Sequence, residues 1–263
     1  MVEPGMSKFA SLAASAQMRD LLREIDEGVA RIRFSEGLRR GWEAARAEAG
    51  VQLAHYEAAL VGARTDLAQL RLATMGRVPA EDPAVLAALD IWKAHRLAQQ
   101  DWAPLNSRQP VKTVGHPLPQ VLTAAHKALT ARLCSAGVIA EDDVATLKDP
   151  RALTAVRAVL EAKLPAPMRA GLLIWLFANR PLFATHSEQL GRVLARHHLV
   201  VSGFEPSGTL LISRQLAGDA QASLALNNED PEPWLYAYCE TMAAAIDPTL
   251  DMIRGVQAGK LPQ

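Results

Sequence analysis

No stretch of this chain is apolar for long enough to cross a bilayer, which takes ~18 consecutive residues. The longest candidate, Gly171 to Ala178, has the length of a core helix. The N-terminus lacks a basic region followed by an apolar one, so no signal peptide is read and the expected location is the cytoplasm. Charge of one sign is also missing. Lys and Arg total 28, as do Asp and Glu, for a formal net charge of zero. A neutral chain without a basic block argues against nucleic acid and against an anionic membrane surface as partners. The two cysteines, Cys134 and Cys239, lie far apart and form no metal-type spacing. Both read as buried thiols in a reducing compartment. Internal repeats, a useful heptad seam and strand-like alternation are absent as well.

What is present is helical periodicity over most of the 263 residues. Apolar residues recur at three- and four-residue spacing from Ser7 to Arg23, and Leu21, Leu22, Ile25 and Val29 extend that face. Trp42, Ala45, Ala49, Leu53, Tyr56 and Leu60 form a core-facing stripe that breaks near Val61-Gly62. Pro83 follows Glu81-Asp82 as a helix start, and the connection from Trp102 to Pro119 is rich in proline. Val111 to Val114 is the one short strand expected there; Thr209 to Ser213 is a second stretch that could be extended. Further helices are expected over Leu118–Ala136, from Asp149-Pro150 to Leu160, over Met168–Phe177, from about Ser187, and over Pro233–Ile246. The fold class is therefore all-α, with eight or nine helices and little or no β structure. The expected organisation is an N-terminal helical extension over 1–37, a main helical domain over 38–255 and a flexible tail over 256–263.

The stretch that carries chemistry is Phe177 to Leu199. An apolar helix enters a short polar loop, Arg180 to Ser187, and a second helix leaves it carrying Arg192 and Arg196. Such a layout can hold a phosphate, because the first amides of the second helix lack intrahelical partners. Arg180, Ser187, Arg192 and Arg196 are the phosphate-contact candidates. Arg192 and Arg196 are four apart and share a face, but Glu188 could equally pair with Arg192 as an ordinary i, i+4 salt bridge. His186 is either a displaced general base or a loop histidine. Ser187 reads as a helix cap rather than a nucleophile. His197 and His198 lack the spacing or carboxylate partner of a metal site, so no metal is expected. Trp42, Trp92, Trp175 and Trp234 lie on apolar stripes, whereas Trp102, in the proline-rich connection, is the tryptophan that could face a partner.

Taken in order, these features resemble the Fic (Fido) family, and within it the divergent Fic-like proteins of high-GC bacteria. The elements that carry the likeness are Glu57-Ala-Ala-Leu-Val-Gly-Ala63, the mid-helix His126-Lys-Ala-Leu129, the Arg180-Pro-Leu-Phe183 turn, Arg192 to Gly203, Phe204 to Gly208, Leu210 to Ser213 and Trp234-Leu-Tyr-Ala-Tyr238. The resemblance covers about Leu38 to Ile246. It implies a Fic-like helical bundle, and ATP with magnesium as the cofactor such a fold would use. Fic enzymes transfer AMP to protein hydroxyls through a motif reading His-Pro-Phe-x-(Asp/Glu)-Gly-Asn-Gly-Arg-x-x-Arg. The histidine acts as base, the acid holds magnesium, the glycines let amides approach phosphate and the arginines neutralise it.

This chain departs from that motif in both possible registers. Aligned on Pro181, Arg180 stands at the base, Ala184 at the acid, Thr185 and Ser187 at the glycines and Glu188 at the first arginine. Aligned on the last arginine, Phe183 and Arg192 match, but Pro181 stands at the base and Thr185 at the acid. The family's inhibitory motif is matched by Glu57 to Gly62, with Val61 where its glutamate belongs. The expected function is thus a Fic-like protein without the motif for AMP transfer, a pseudoenzyme working by protein interaction or weak nucleotide binding, with a homo-oligomer as one possible assembly. The alternative is a nucleotidyl- or phosphoryl-transferring enzyme of altered site that uses His186 and Glu188.

Overall fold

The computed structural model describes residues 3–105 and 117–261, with side chains from Ser7 onward. Among them are thirteen α-helices. In chain order they are α1 (Glu3–Ala14), α2 (Ala16–Arg33), α3 (Glu36–Leu60), α4 (Leu67–Thr74), α5 (Pro83–Ala98), α6 (Leu118–Ser135), α7 (Arg151–Glu161), α8 (Ala166–Asn179), α9 (Ser187–Val201), α10 (Ile212–Leu216), α11 (Ala220–Leu226), α12 (Pro231–Ala244) and α13 (Ile246–Gln257). No strand occurs among the described residues beyond one isolated antiparallel bridge, between Leu147 and Phe183. The expected strand at Val111–Val114 lies outside the described residues.

Several boundaries follow the sequence signals. Asp82 Oδ1 accepts from the Ala84 amide at 2.8 Å and opens α5 at Pro83. Gly62 takes φ +84° just beyond the end of α3. Other boundaries differ. The first helical stretch splits at Ser15, whose Oγ caps α2 by accepting from Met18 N at 3.3 Å. The Thr209–Ser213 run does not form a strand: Leu211 N donates to Thr249 Oγ1 at 3.0 Å, and α10 begins at Ile212. There are more helices than the periodicity suggests, because aspartate caps at Asp66 and Asp219 start helices too short to show a period.

The core is one continuous cluster that runs from Phe9 to Ile253. α2 joins it through Met18, Ile25 and Ile32, all fully buried, and packs on α12 and α13. Polar ties reinforce the seating of α1 and α2 there: Lys8 to Asp230 at 2.9 Å, Ser15 Oγ to Tyr236 OH at 3.2 Å and Arg31 to Asp247 at 2.7 Å. At the centre lies α9, crossed closely by α8. A Cβ on Gly191 would stand 2.8 Å from Phe177 Cβ and 3.3 Å from Ile174 Cα, so glycine there sets how near the two helices come.

The loop after α9 is held by an alternating stack of tryptophan and arginine. The Arg46 guanidinium lies 4.6 Å from the Trp42 ring centre and 5.3 Å from that of Trp102; Arg196 lies 5.0 Å from Trp102. Arg46 Nε donates to Ser207 O at 2.7 Å, its Nη2 to Pro206 O at 3.0 Å, and Arg196 Nη2 to Gly208 O at 2.6 Å. Three consecutive carbonyls are thus satisfied by two side chains. Trp102 is only 6% exposed, which corrects the expectation that it faces a partner: two guanidinium groups and the backbone at Gly208 cover it.

Gly208 has φ +66°, and a Cβ there would meet Trp102 Cζ3 at 2.4 Å. Gly208→Ala is therefore expected to cost about 2–4 kcal/mol, from left-handed strain plus overpacking. Urea unfolding measures it, and a loss below about 1 kcal/mol would show that the stack is not a rigid support.

Candidate functional site

The helix–loop–helix hairpin expected at Phe177–Leu199 is present. α8 ends at Asn179, exposed Arg180 caps it, and α9 starts at Ser187. Between them the loop turns inward rather than outward, because Leu182 and Phe183 are 2% and 1% exposed. A segment after α6 lies antiparallel across it. Lys148 N donates to Leu182 O at 2.8 Å, and Ala184 N donates to Thr146 O at 3.0 Å. Phe183 N donates to Ser187 Oγ at 2.9 Å. Ser187 is therefore one residue inside the helix, not its cap, and its hydroxyl is turned back onto the loop. The capping position belongs to His186, which adopts left-handed φ +53° and makes no side-chain cap bond.

His126 holds this loop from beneath. It is fully buried; its Nδ1 accepts from Ala145 N at 3.1 Å and its Nε2 lies 2.7 Å from Thr185 O. The first bond makes Nδ1 an acceptor, so the proton sits on Nε2, which donates to Thr185. Its ring also stacks on Phe183, with centres 4.3 Å apart. Burial lowers the His126 pKa, although the Thr185 carbonyl works in the opposite direction. Above it, half-buried His186 shares a 2.7 Å contact between Nδ1 and Thr185 Oγ1. Burial, and then the neighbouring His126, hold His186 down at about 4, so it is neutral at physiological pH.

The two arginines do not reach the loop amides. Arg192, 6% exposed, is paired through Nη2 with Glu188. Arg196, 9% exposed, is engaged by Gly208 O and Trp102 and is pushed down to about 10 by burial. Both line a small cavity of about 30 Å3 with Glu57, Glu205, Ser213 and Tyr238. Arg192 Nη1 and Arg196 Nε and Nη1 are buried without hydrogen-bond partners among the described residues. Glu57 ties the cavity together: its Oε1 accepts from Ser213 Oγ at 2.8 Å and its Oε2 meets His95 Nε2 at 3.1 Å. Burial opposes ionisation of Glu57, but His95, Arg192 and Ser213 outweigh it and hold the carboxyl below its usual range. Val61, where the inhibitory glutamate would stand, is 45% exposed at the end of α3.

The expected phosphate contacts are thus not brought together. Arg180 is on the surface, Ser187 is turned onto Phe183, and Arg192 and Arg196 face inward toward α3 and α10. Of the groups that ATP with magnesium would call on here, two loop amides are already bonded and Glu188 is paired. Among the described residues no group of three His, Cys, Asp or Glu side chains could hold a metal ion, and no helix is long and apolar enough to cross a membrane. The partners missed from sequence are Glu205, Ser207 and the Arg46–Trp102–Arg196 stack. Their only signal was Arg46 and Arg196 within helices of apolar periodicity; Trp102, Glu205 and Ser207 lie in connections that carry no period.

No family model matches the chain, and no curated protein matches it. Solved structures do. A crystal structure of a Fic family protein from Desulfovibrio desulfuricans G20 superposes with a TM-score of 0.69 over 90% of this chain and 75% of that one, at 13% sequence identity. The fold is Fic-like. At that identity the likeness concerns architecture, and the site stands on its own residues.

Both His186 and His198 are held down at about 4 against an ordinary 6.5. Between those values the unfolded chain binds more protons than the folded one, so stability falls as pH drops through that window. His186→Asn, which tolerates the left-handed backbone, is expected to flatten part of the slope while leaving stability at pH 7.5 nearly unchanged. Urea unfolding across pH checks this, and an unaltered slope would contradict it.

Proposed function

We propose that this Fic-fold chain works by binding a protein partner and does not transfer AMP. The observation that carries the reading is that polar groups of the hairpin already serve one another: Ala184 N on Thr146 O, Phe183 N on Ser187 Oγ, and Arg192 on Glu188. Phosphate would have to displace these bonds and draw buried arginines out of a packed core, and each such step costs free energy that the site offers nothing to offset. A protein partner is supported by what the covering segment leaves outside. Val138 and Leu147 are 53% and 54% exposed and flank the exposed acidic run Glu141–Asp143.

One observation favours the alternative, nucleotidyl or phosphoryl transfer by His186 and Glu188. A histidine that is neutral at physiological pH is in the form a general base requires. Glu188, however, is held by Arg192, and neither His186 nor Glu188 lines the apolar cleft or the small arginine-lined cavity. The alternative would therefore rest on His186 alone.

Calorimetric titration with ATP and Mg2+ separates the two. The expected outcome is no heat at millimolar nucleotide, for the parent chain and for Arg180→Ala alike. Micromolar binding would overturn the proposal. Arg192→Ala is a poorer probe, since removing it unpairs Glu188 and an internal partner of Glu57; it is expected to cost about 1–3 kcal/mol of stability by urea unfolding.

A further inference from the structure

A cleft of about 270 Å3 lies where α5, α6 and α9 meet, on a flank of α9 different from the small arginine-lined cavity. Its walls are aliphatic: Leu97 from α5, Val121 and Ala125 from α6, Leu190 and Val193 from α9. Its polar members come from the turn after α5, the start of α6 and the later part of α9: Gln100, Asp101, Gln120 and His197. No Lys or Arg lines it among the described residues.

The polar members are unequal. His197 is already engaged: its Nδ1 accepts from Trp102 Nε1 at 3.0 Å, and it is hydrogen-bonded to the Ala98 backbone. Burial lowers its pKa, so it brings no positive charge. Asp101 is half-buried, and its carboxylate makes no hydrogen bond or ion pair among the described residues. An aliphatic cleft with one carboxylate that no described residue pairs, and two amide side chains, repels an organic acid and suits a molecule with an apolar body and a cationic head.

We propose that this cleft binds a small alkylammonium, with its chain along Leu97, Val121, Ala125 and Val193 and its ammonium donating to the Asp101 carboxylate and the Gln100 and Gln120 side-chain carbonyls. The aliphatic wall supplies affinity that grows with chain length, about fourfold per added methylene until the cleft is filled. The carboxylate selects the sign of the charge.

The test is calorimetric titration of the purified chain with butyl- and hexylammonium, and with hexanoate and hexanol as controls. Binding should strengthen from butyl- to hexylammonium, and hexanoate should bind at least about tenfold more weakly. Asp101→Asn should weaken hexylammonium by about tenfold and leave hexanol unchanged. Ala124→Phe, at an exposed lining position, should block all four ligands, and thermal unfolding of each variant confirms that it is folded. No heat with hexylammonium at millimolar concentration would overturn the assignment. So would equal binding of hexanoate, or an Asp101→Asn variant that binds the ammonium as tightly as the parent.

Discussion

Burying an arginine-bearing helix is the constraint on which this fold turns. α9 is central, and all but a few of its residues are buried, including Arg192 and Arg196. A guanidinium cannot be deprotonated to escape burial at neutral pH, so each must find acceptors within the protein. Arg192 takes Glu188 from its own helix and the field of Glu57 from α3. Arg196 takes the Gly208 carbonyl and the face of Trp102. Trp102 in turn is stacked on Arg46, which fixes the neighbouring carbonyls of the same loop. Helices far apart in sequence are thereby tied to α9 by charge as well as by packing, and the close crossing at Gly191 fixes where α8 lies against it.

The same constraint decides what the hairpin can do. A helix N-terminus approached by a turn is an anion site only while its donors are free and its cations face it. Here Thr146 and Ser187 occupy loop amides, and the arginines point toward the opposite side of α9. The fold is Fic-like, and several polar groups of the hairpin are engaged in holding the fold together. His126 is the clearest case. It sits beneath the loop with both ring nitrogens bonded to backbone groups, so it positions the turn and has no free nitrogen for proton transfer.

The all-α class and the hairpin were legible because they rest on periodicity and on strong local signals. The stripe on α3, the Asp82-Pro83 start and the glycine break at Gly62 all depend on residues adjacent in the chain. The i, i+4 spacing of Glu188 and Arg192 likewise announced their pairing as one of two options. What could not be read is long-range. Nothing near Trp102 says that Arg46 and Arg196 will close on it from helices on either side. The position of Ser187 allowed a cap, yet the left-handed turn at His186 moved the helix start by one residue and freed the hydroxyl for Phe183. Short helices such as α10 and α11 escaped because one turn has no period to detect.

The central claim is that the loop amides are closed off within the fold, and amide hydrogen exchange tests it most directly. The Phe183 and Ala184 amides should exchange with protection comparable to amides in the middle of α9, since they are bonded to Ser187 and Thr146. Exchange of these two amides at the rate of an open loop, with α9 itself protected, would mean that the donors are free, and the hairpin would again qualify as a phosphate site.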